Sequence, residues 1–240
     1  MRPANILRVD MLRVNMLRVN MPRMKLTWSA NPQKLGTDAS GNLEGFSMTK
    51  PAVQILGGQH ERLSEVARQV ALVVGASLFV ALCARITIPL PFTPVPLTVQ
   101  NFGVLLVGLM LGRRGGFAAL ALYLAEGAIG MPVFNPTGLG GIAQLLGPTG
   151  GFLLAYPLVA WLAGFVMERG RKSFARAAVS GLLGEVVLFA GGLSWLAVLT
   201  HSVTQAFRWG LYWFVFAEVI KVMAAAGIAA RWQRDSKVTP

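Results

Sequence analysis

Apolar residues gather into six long segments, roughly 67–88, 97–112, 116–131, 150–167, 175–199 and 207–230, separated by polar, charged or Gly/Pro-rich stretches. A helix that crosses a bilayer needs about 20 predominantly apolar residues. Several segments fall short of that, so their ends are expected to merge into structured loops. The pattern predicts an all-α integral membrane protein of six transmembrane helices with structured outer loops.

The amino-terminal quarter lacks this pattern. ILRVDMLRVNMLRVNMPRM repeats every five residues. On a helix each such step turns by about 140°, and on a strand it flips the face, so no apolar side accumulates. Residues 1–60 are therefore expected to be a disordered basic tail, and residues 61–240 the six-helix membrane domain. The tail fits a targeting peptide, being Arg-rich and acid-poor, or translated sequence upstream of a start near Met48.

Composition agrees with a membrane class. The 240 residues are 54% hydrophobic and only 13% charged, against about 25% charged in soluble domains. The formal charge of +12 is accounted for by topology, with no nucleic-acid partner required. Arg62 and Arg68 precede the first span. Arg113 and Arg114 lie between the second and third, and Arg169, Arg171, Lys172 and Arg176 between the fourth and fifth. Arg231, Arg234 and Lys237 follow the sixth. The other three connections carry only Arg208. Positive-inside counting places both termini in the cytoplasm, N-in/C-in, for a multi-pass protein of the cell membrane. Cys83 is the single cysteine, so no disulfide framework exists.

Two uncharged connections on the expected outer side are irregular. ITIPLPFTPVPLTVQ (86–100) holds four prolines, and MPVFNPTGLGGIAQLLGPTGG (131–151) is rich in Gly and Pro. Irregular backbone at membrane depth is tolerated where protein buries it or a cavity requires it. A shaped pocket beneath a cover competes here with the plainer reading of tight outer turns. Ionisable residues inside spans are functional candidates by default: Arg85, Glu126, Glu185, Glu218 and Lys221. Arg85 reads as snorkelling at a helix end. Glu126 faces an outer cavity or caps loop amides, and Glu185 reads as structural. Glu218 and Lys221, three apart on one helix face, are either a self-neutralising pair or a polar ligand site. Ala71 and Gly75 form one small-residue face of the first span, and Ser77 and Ala81 another. Such faces serve internal packing or docking to a partner subunit. The sequence has no P-loop and no H-E-x-x-H, and only two histidines. It shows no metal constellation and implies no cofactor. A transporter without its own motor uses an ion gradient or borrows a motor.

IPLPFTPVPLTVQ, GAIGMPVFNPTGLGG and LLGPTGGFL, in this order and spacing, resemble the BioY family, the biotin-specific substrate-binding (S) components of energy-coupling factor (ECF) transporters. The resemblance covers about residues 65–232. It implies a six-helix membrane protein that binds biotin from outside and works with a transmembrane coupling subunit and two cytoplasmic ABC-type ATPases. FAEVIKVMAAA resembles the family's last helix, where an acid and a lysine three residues later contact ligand, here Glu218 and Lys221. The chain departs from the family pattern with Glu in place of the usual Asp at 218, no prolines just before it, and Phe152 where Tyr is common.

On that resemblance the substrate-binding residues are Gln100, Asn135, Thr149, Gly150, Glu218 and Lys221. Glu218 accepts a ureido N–H, Lys221 donates to the ureido oxygen, and Gln100 and Asn135 supply amides. Loop amides near Thr149 and Gly150 hold the valerate carboxylate, and Phe92, Phe134 and Trp195 form apolar walls. Ala71, Gly75, Ser77 and Ala81 are the partner-docking candidates. No residue is assigned a catalytic role. The alternatives are a transport component for a related small vitamin or a biotin precursor, an intramembrane enzyme using Glu126, Glu185 or Glu218 as acid or base, and a structural membrane subunit.

Overall fold

In the computed structural model, the backbone is described for Thr49–Asp235 and side chains for Arg62–Trp232. The tail expected over residues 1–48 lies outside the described residues. Residues 49–60, expected to belong to that tail, are instead helical, as the start of α1 (Thr49–Arg85). The apolar pattern begins only near residue 67, which is why periodicity placed the helix start too late.

A helical stretch, α2 (Gln100–Ala128), follows, broken at Gly112 by φ 74° and ψ −179°. Only glycine adopts this conformation readily. The chain doubles back there: a Cβ added to Gly116 would lie 3.1 Å from Gly108 Cα, whereas eight residues of straight helix span about 12 Å. The expected second and third segments are thus the two arms of a helical hairpin, with Arg113 and Arg114 at its turn.

Next come α3 (Gly141–Leu146), α4 (Gly150–Glu168) and α5 (Phe174–Thr200). Ser173 caps α5 by accepting from Arg176 N at 3.3 Å, satisfying one of the free N–H groups of a helix start. The sixth apolar segment is divided. α6 (Val203–Gly210) and α7 (Val215–Asp235) bend by 50° about the intervening residues. Leu211, Tyr212, Trp213 and Phe214 continue the hydropathy of a span, but the chain turns through them: the N–H groups of both Leu211 and Tyr212 donate to the Phe207 carbonyl at 3.1 Å.

The proline-rich stretch is more than an irregular connection. β1 (Thr87–Ile88) pairs antiparallel with β2 (Leu97–Thr98), a two-residue ladder added to the expected all-α fold. The four prolines occupy its loop, where a missing N–H costs no ladder bond.

Small residues set the helix packing. A Cβ on Gly108 would lie 2.9 Å from Ala160 Cα, and one on Gly191 would lie 2.9 Å from Ala155 Cβ. Close backbone approach of this kind drives helix association in lipid. α4 packs on both arms of α2, α5 on α4, and α7 on α5. The core between them is aliphatic and includes Val80, Val104, Leu105, Leu120, Leu153, Val159 and Val222.

Two ends result. At one, connections 86–99, 129–149 and 201–214 meet: Thr93 Oγ1 donates to the Trp209 carbonyl at 2.8 Å, and Trp195 Nε1 to the Gly147 carbonyl at 2.9 Å. Phe92 and Trp213 rings lie 4.6 Å apart. Arg85, expected to snorkel, hydrogen-bonds the Pro132 carbonyl. At the other end lie the Gly112 turn and residues 169–173. There Arg113 pairs with Glu168 at 3.2 Å and Arg169 sits 3.9 Å over the Phe165 ring. Among the described residues four helices are long and apolar enough to cross a membrane, or five when α6 and α7 count as one bent span.

Candidate functional site

Under the three meeting connections lies a cavity. Val95, Pro96, Thr98, Gln100 and Asn101 reach it from the proline loop and the start of α2, and Asn135 and Thr149 from residues 129–149. Phe152, Leu153 and Tyr156 of α4, Leu188 and Phe189 of α5, and Gly210, Phe214 and Glu218 complete it. An apolar enclosure with a few convergent polar groups is the usual form of a small-molecule site.

The polar groups are held by a connected network. Gln100 Nε2 donates to Tyr123 Oη at 2.8 Å, and Tyr123 Oη donates to the Val133 carbonyl at 3.0 Å. Gln100 is 1% exposed. With Nε2 committed, its amide offers Oε1 as an acceptor. Asn135 Oδ1 accepts from Thr137 Oγ1 at 2.9 Å, which leaves Nδ2 as a donor. Asn101 Nδ2 donates to Glu185 Oε1 at 2.6 Å and to Glu218 Oε2 at 2.7 Å. Lys221 Nζ donates to Glu218 Oε1 at 2.7 Å, with both side chains largely buried. Two buried carboxyl groups from α5 and α7 thus meet on one amide from α2, with the Lys221 ammonium beside Glu218. A buried ion pair keeps its desolvation cost low only when further hydrogen bonds complete it, and Asn101 supplies one to Glu218.

Four of the six expected ligand residues line the cavity: Gln100, Asn135, Thr149 and Glu218. Lys221 does not line it, and its ammonium donates to Glu218. Gly150 does not line it either. Its N–H donates to the Gly147 carbonyl at 3.0 Å, and a side chain there would collide with the Leu145 carbonyl. That glycine serves the tight α3–α4 join.

The expected apolar walls are corrected. Phe134 is core, packed edge-on against Tyr123. Phe92 is half exposed on Trp213. Trp195 secures the Gly147 carbonyl and lies outside the cavity. The walls are Phe152, Tyr156, Phe189 and Phe214.

On α1 the four small residues divide. Ala71 and Gly75 are exposed, with open space where a Gly75 side chain would go. Ala81 is half-buried. Ser77 is fully buried and hydrogen-bonds Glu126, so it faces α2 and not the outside.

Sequence reasoning missed Asn101 and read Glu185 without its Asn101 partner. Each is a polar residue within an apolar stretch, and that was the available signal. Glu185, read as structural, lies within α5 and accepts from Asn101 Nδ2.

Residues 50–237 match the model of the BioY family. A probable biotin transporter BioY of Pyrococcus horikoshii is 39% identical over 171 residues, covering 71% of this chain and 99% of that relative. The biotin transporter BioY of Thermotoga maritima is 37% identical over 162 residues, covering 67% of this chain and 95% of the relative. A crystal structure of the S-component for biotin from an ECF-type ABC transporter superposes with a TM-score of 0.65 at 24% identity, covering 71% of this chain and 93% of that one. That likeness supports the fold alone.

Proposed function

Since the chain belongs to the BioY family, a family of multi-pass membrane transport proteins, we propose that it binds biotin in the cavity beneath its three meeting connections and serves biotin uptake. The observation that carries the reading is the cavity itself: fixed hydrogen-bonding groups at Gln100, Asn135 and Glu218, surrounded by aromatic walls. The ureido ring has two N–H donors and one oxygen acceptor. Glu218 and Gln100 Oε1 accept the N–H groups, and Asn135 Nδ2 donates to the oxygen. Lys221 acts through Glu218, neutralising it at 2.7 Å. Phe152, Tyr156, Phe189 and Phe214 hold the thioether ring and chain, and Thr149 stands where the carboxylate emerges.

The same parts support a membrane arrangement within this reading. With the α2 hairpin counted as two passes and α6–α7 as one bent pass, six segments cross. The end that holds Arg113, Arg114, Arg169, Arg171, Lys172 and Arg176 faces the cytoplasm by the positive-inside rule, as do both termini. The cavity then opens outward. Delivery inward is assigned to a transmembrane coupling subunit and two cytoplasmic ATPases, with Ala71 and Gly75 as an exposed docking face. No reaction is assigned to this chain.

Radiolabelled biotin binding to purified protein tests the reading, and saturable one-to-one binding is expected. No binding by well-folded protein sinks it. A competition panel with dethiobiotin and other small vitamins separates biotin from a related ligand, which would compete better than biotin itself.

A further inference from the structure

Glu185 is a buried carboxyl group that the binding reading leaves without a task. Its Oε1 accepts from Asn101 Nδ2 at 2.6 Å. Its Oε2 is buried with no hydrogen-bond partner, and so is Asn101 Oδ1. Glu185 is 6% exposed and Asn101 3%, so both atoms are shut off from bulk solvent. A buried acceptor left unpaired carries the full cost of its lost hydration.

The two orphans belong to groups already joined by one hydrogen bond. An amide and a carboxylic acid joined in this way close into a ring when the acid's second oxygen carries a hydrogen and donates it to the amide oxygen. One hydrogen then satisfies both orphans. An unprotonated carboxylate at this place would leave both acceptors unpaired. It would also set a second negative charge on the amide that bonds Glu218, beside which Lys221 is the one cation paired among the described residues.

The geometry points to a closed acid–amide pair, with Asn101 Nδ2–H donating to Glu185 Oε1 and Glu185 Oε2–H donating to Asn101 Oδ1, as the fixture that sets the Glu218 carboxylate. Asn101 has two amide hydrogens. The pair uses one and aims the other at Glu218 Oε2 at 2.7 Å. Glu185 is therefore a positioning residue that acts through Asn101. Its acid must donate a hydrogen, so position 185 accepts an amide in its stead: a glutamine has the same shape, accepts through Oε1 and donates through Nε2. Position 218 has no such freedom, because both its oxygens already accept.

The test uses the full chain in detergent, with Glu185→Gln, Glu185→Leu and Glu218→Gln. Glu185→Gln is expected to keep the wild-type thermal midpoint and to bind biotin within about threefold of wild type, a factor worth less than the ~1.4 kcal/mol of a tenfold change. Glu185→Leu, which can neither donate nor accept, is expected to lose more than tenfold in affinity and to melt earlier. Infrared difference spectra supply a readout that packing alone would not move. The carbonyl stretch of a protonated carboxyl group should vanish in Glu185→Gln and persist in Glu218→Gln. The inference is overturned if Glu185→Gln behaves like Glu185→Leu, or if the Glu185→Gln spectrum loses no such band. The affinity arm rests on the biotin reading, whereas the thermal and infrared arms do not. Failure of the wild type to bind biotin would thus count against that reading while the other two arms still decide this one.

Discussion

Gln100 and Tyr123 are hydrogen-bonded at 2.8 Å, though 23 residues of straight helix would hold them about 35 Å apart. The contact exists because the chain reverses at Gly112. It ties the mouth of the cavity to a turn at the opposite end of the hairpin, since the register of the two arms is fixed at both places.

Gly112→Ala should therefore destabilise the protein although it lies far from the cavity. A residue with a Cβ held at φ 74° costs on the order of 1–3 kcal/mol, and the added methyl would press on the Glu168 carboxylate. A lowered thermal midpoint in detergent is the expected outcome. An unchanged midpoint would remove the strict need for glycine at this turn.

Glu218→Gln should weaken biotin binding by roughly 10- to 100-fold. A hydrogen bond to a charged group contributes about 1.5–3 kcal/mol, and ~1.4 kcal/mol is tenfold. Lys221→Met should also weaken it, and part of that loss is the lone buried carboxylate left behind. The double variant distinguishes the two roles. It should fold at least as well as either single variant and still bind poorly. Wild-type affinity in a well-folded double variant would make the pair structural only.

The exposed face of α1 can be probed without disturbing the cavity. A Cβ at Gly75 meets nothing within 4 Å and Ala71 is exposed, so Gly75→Leu, like Ala71→Leu, should leave stability and biotin affinity unchanged. Co-purification with a coupling subunit should fall. Ser77→Leu is the contrasting variant: it buries bulk where Ser77 is fully enclosed and bonded to Glu126, and it should lower the thermal midpoint. Undiminished co-purification with both Gly75→Leu and Ala71→Leu would assign docking elsewhere.

A reporter fused after Pro240 should be active only in the cytoplasm, because the basic residues gather at the end of the fold opposite the cavity. Activity confined to the outside would invert the topology.

The helical content and the charged turn at Arg113–Arg114 were legible because hydropathy and basic residues both mark where a membrane chain turns. The divided last segment was not. Tyr212, Trp213 and Phe214 are as apolar as a span, and only their packing against the proline loop reveals a bend. Within the site, Gln100, Asn135, Thr149 and Glu218 were readable as polar groups in apolar or irregular sequence. Spacing of three put Lys221 on the helix face of Glu218 but does not say what the ammonium touches, and in the fold it donates to Glu218 at 2.7 Å. The aromatic walls were misplaced for a similar reason. Phe92, Phe134 and Trp195 lie in or near the loops in sequence, but in the fold their rings turn to Trp213, Tyr123 and the Gly147 carbonyl, while Phe152, Tyr156 and Phe189 turn inward from helices and Phe214 from the α6–α7 turn.

The two-residue ladder beneath the proline loop bears on time as well as shape. Prolines narrow the backbone choices of the loop before any ligand arrives, and the Thr87–Thr98 and Ile88–Leu97 pairs pin its two legs together. Little disorder is left there for a ligand to quench. A wall arranged in advance lets contact energy appear as affinity with less lost to ordering, and within one binding site such gains show mostly in the dissociation rate. For a molecule bound beneath it as proposed, the stiffness of four prolines is thus a means of slowing escape.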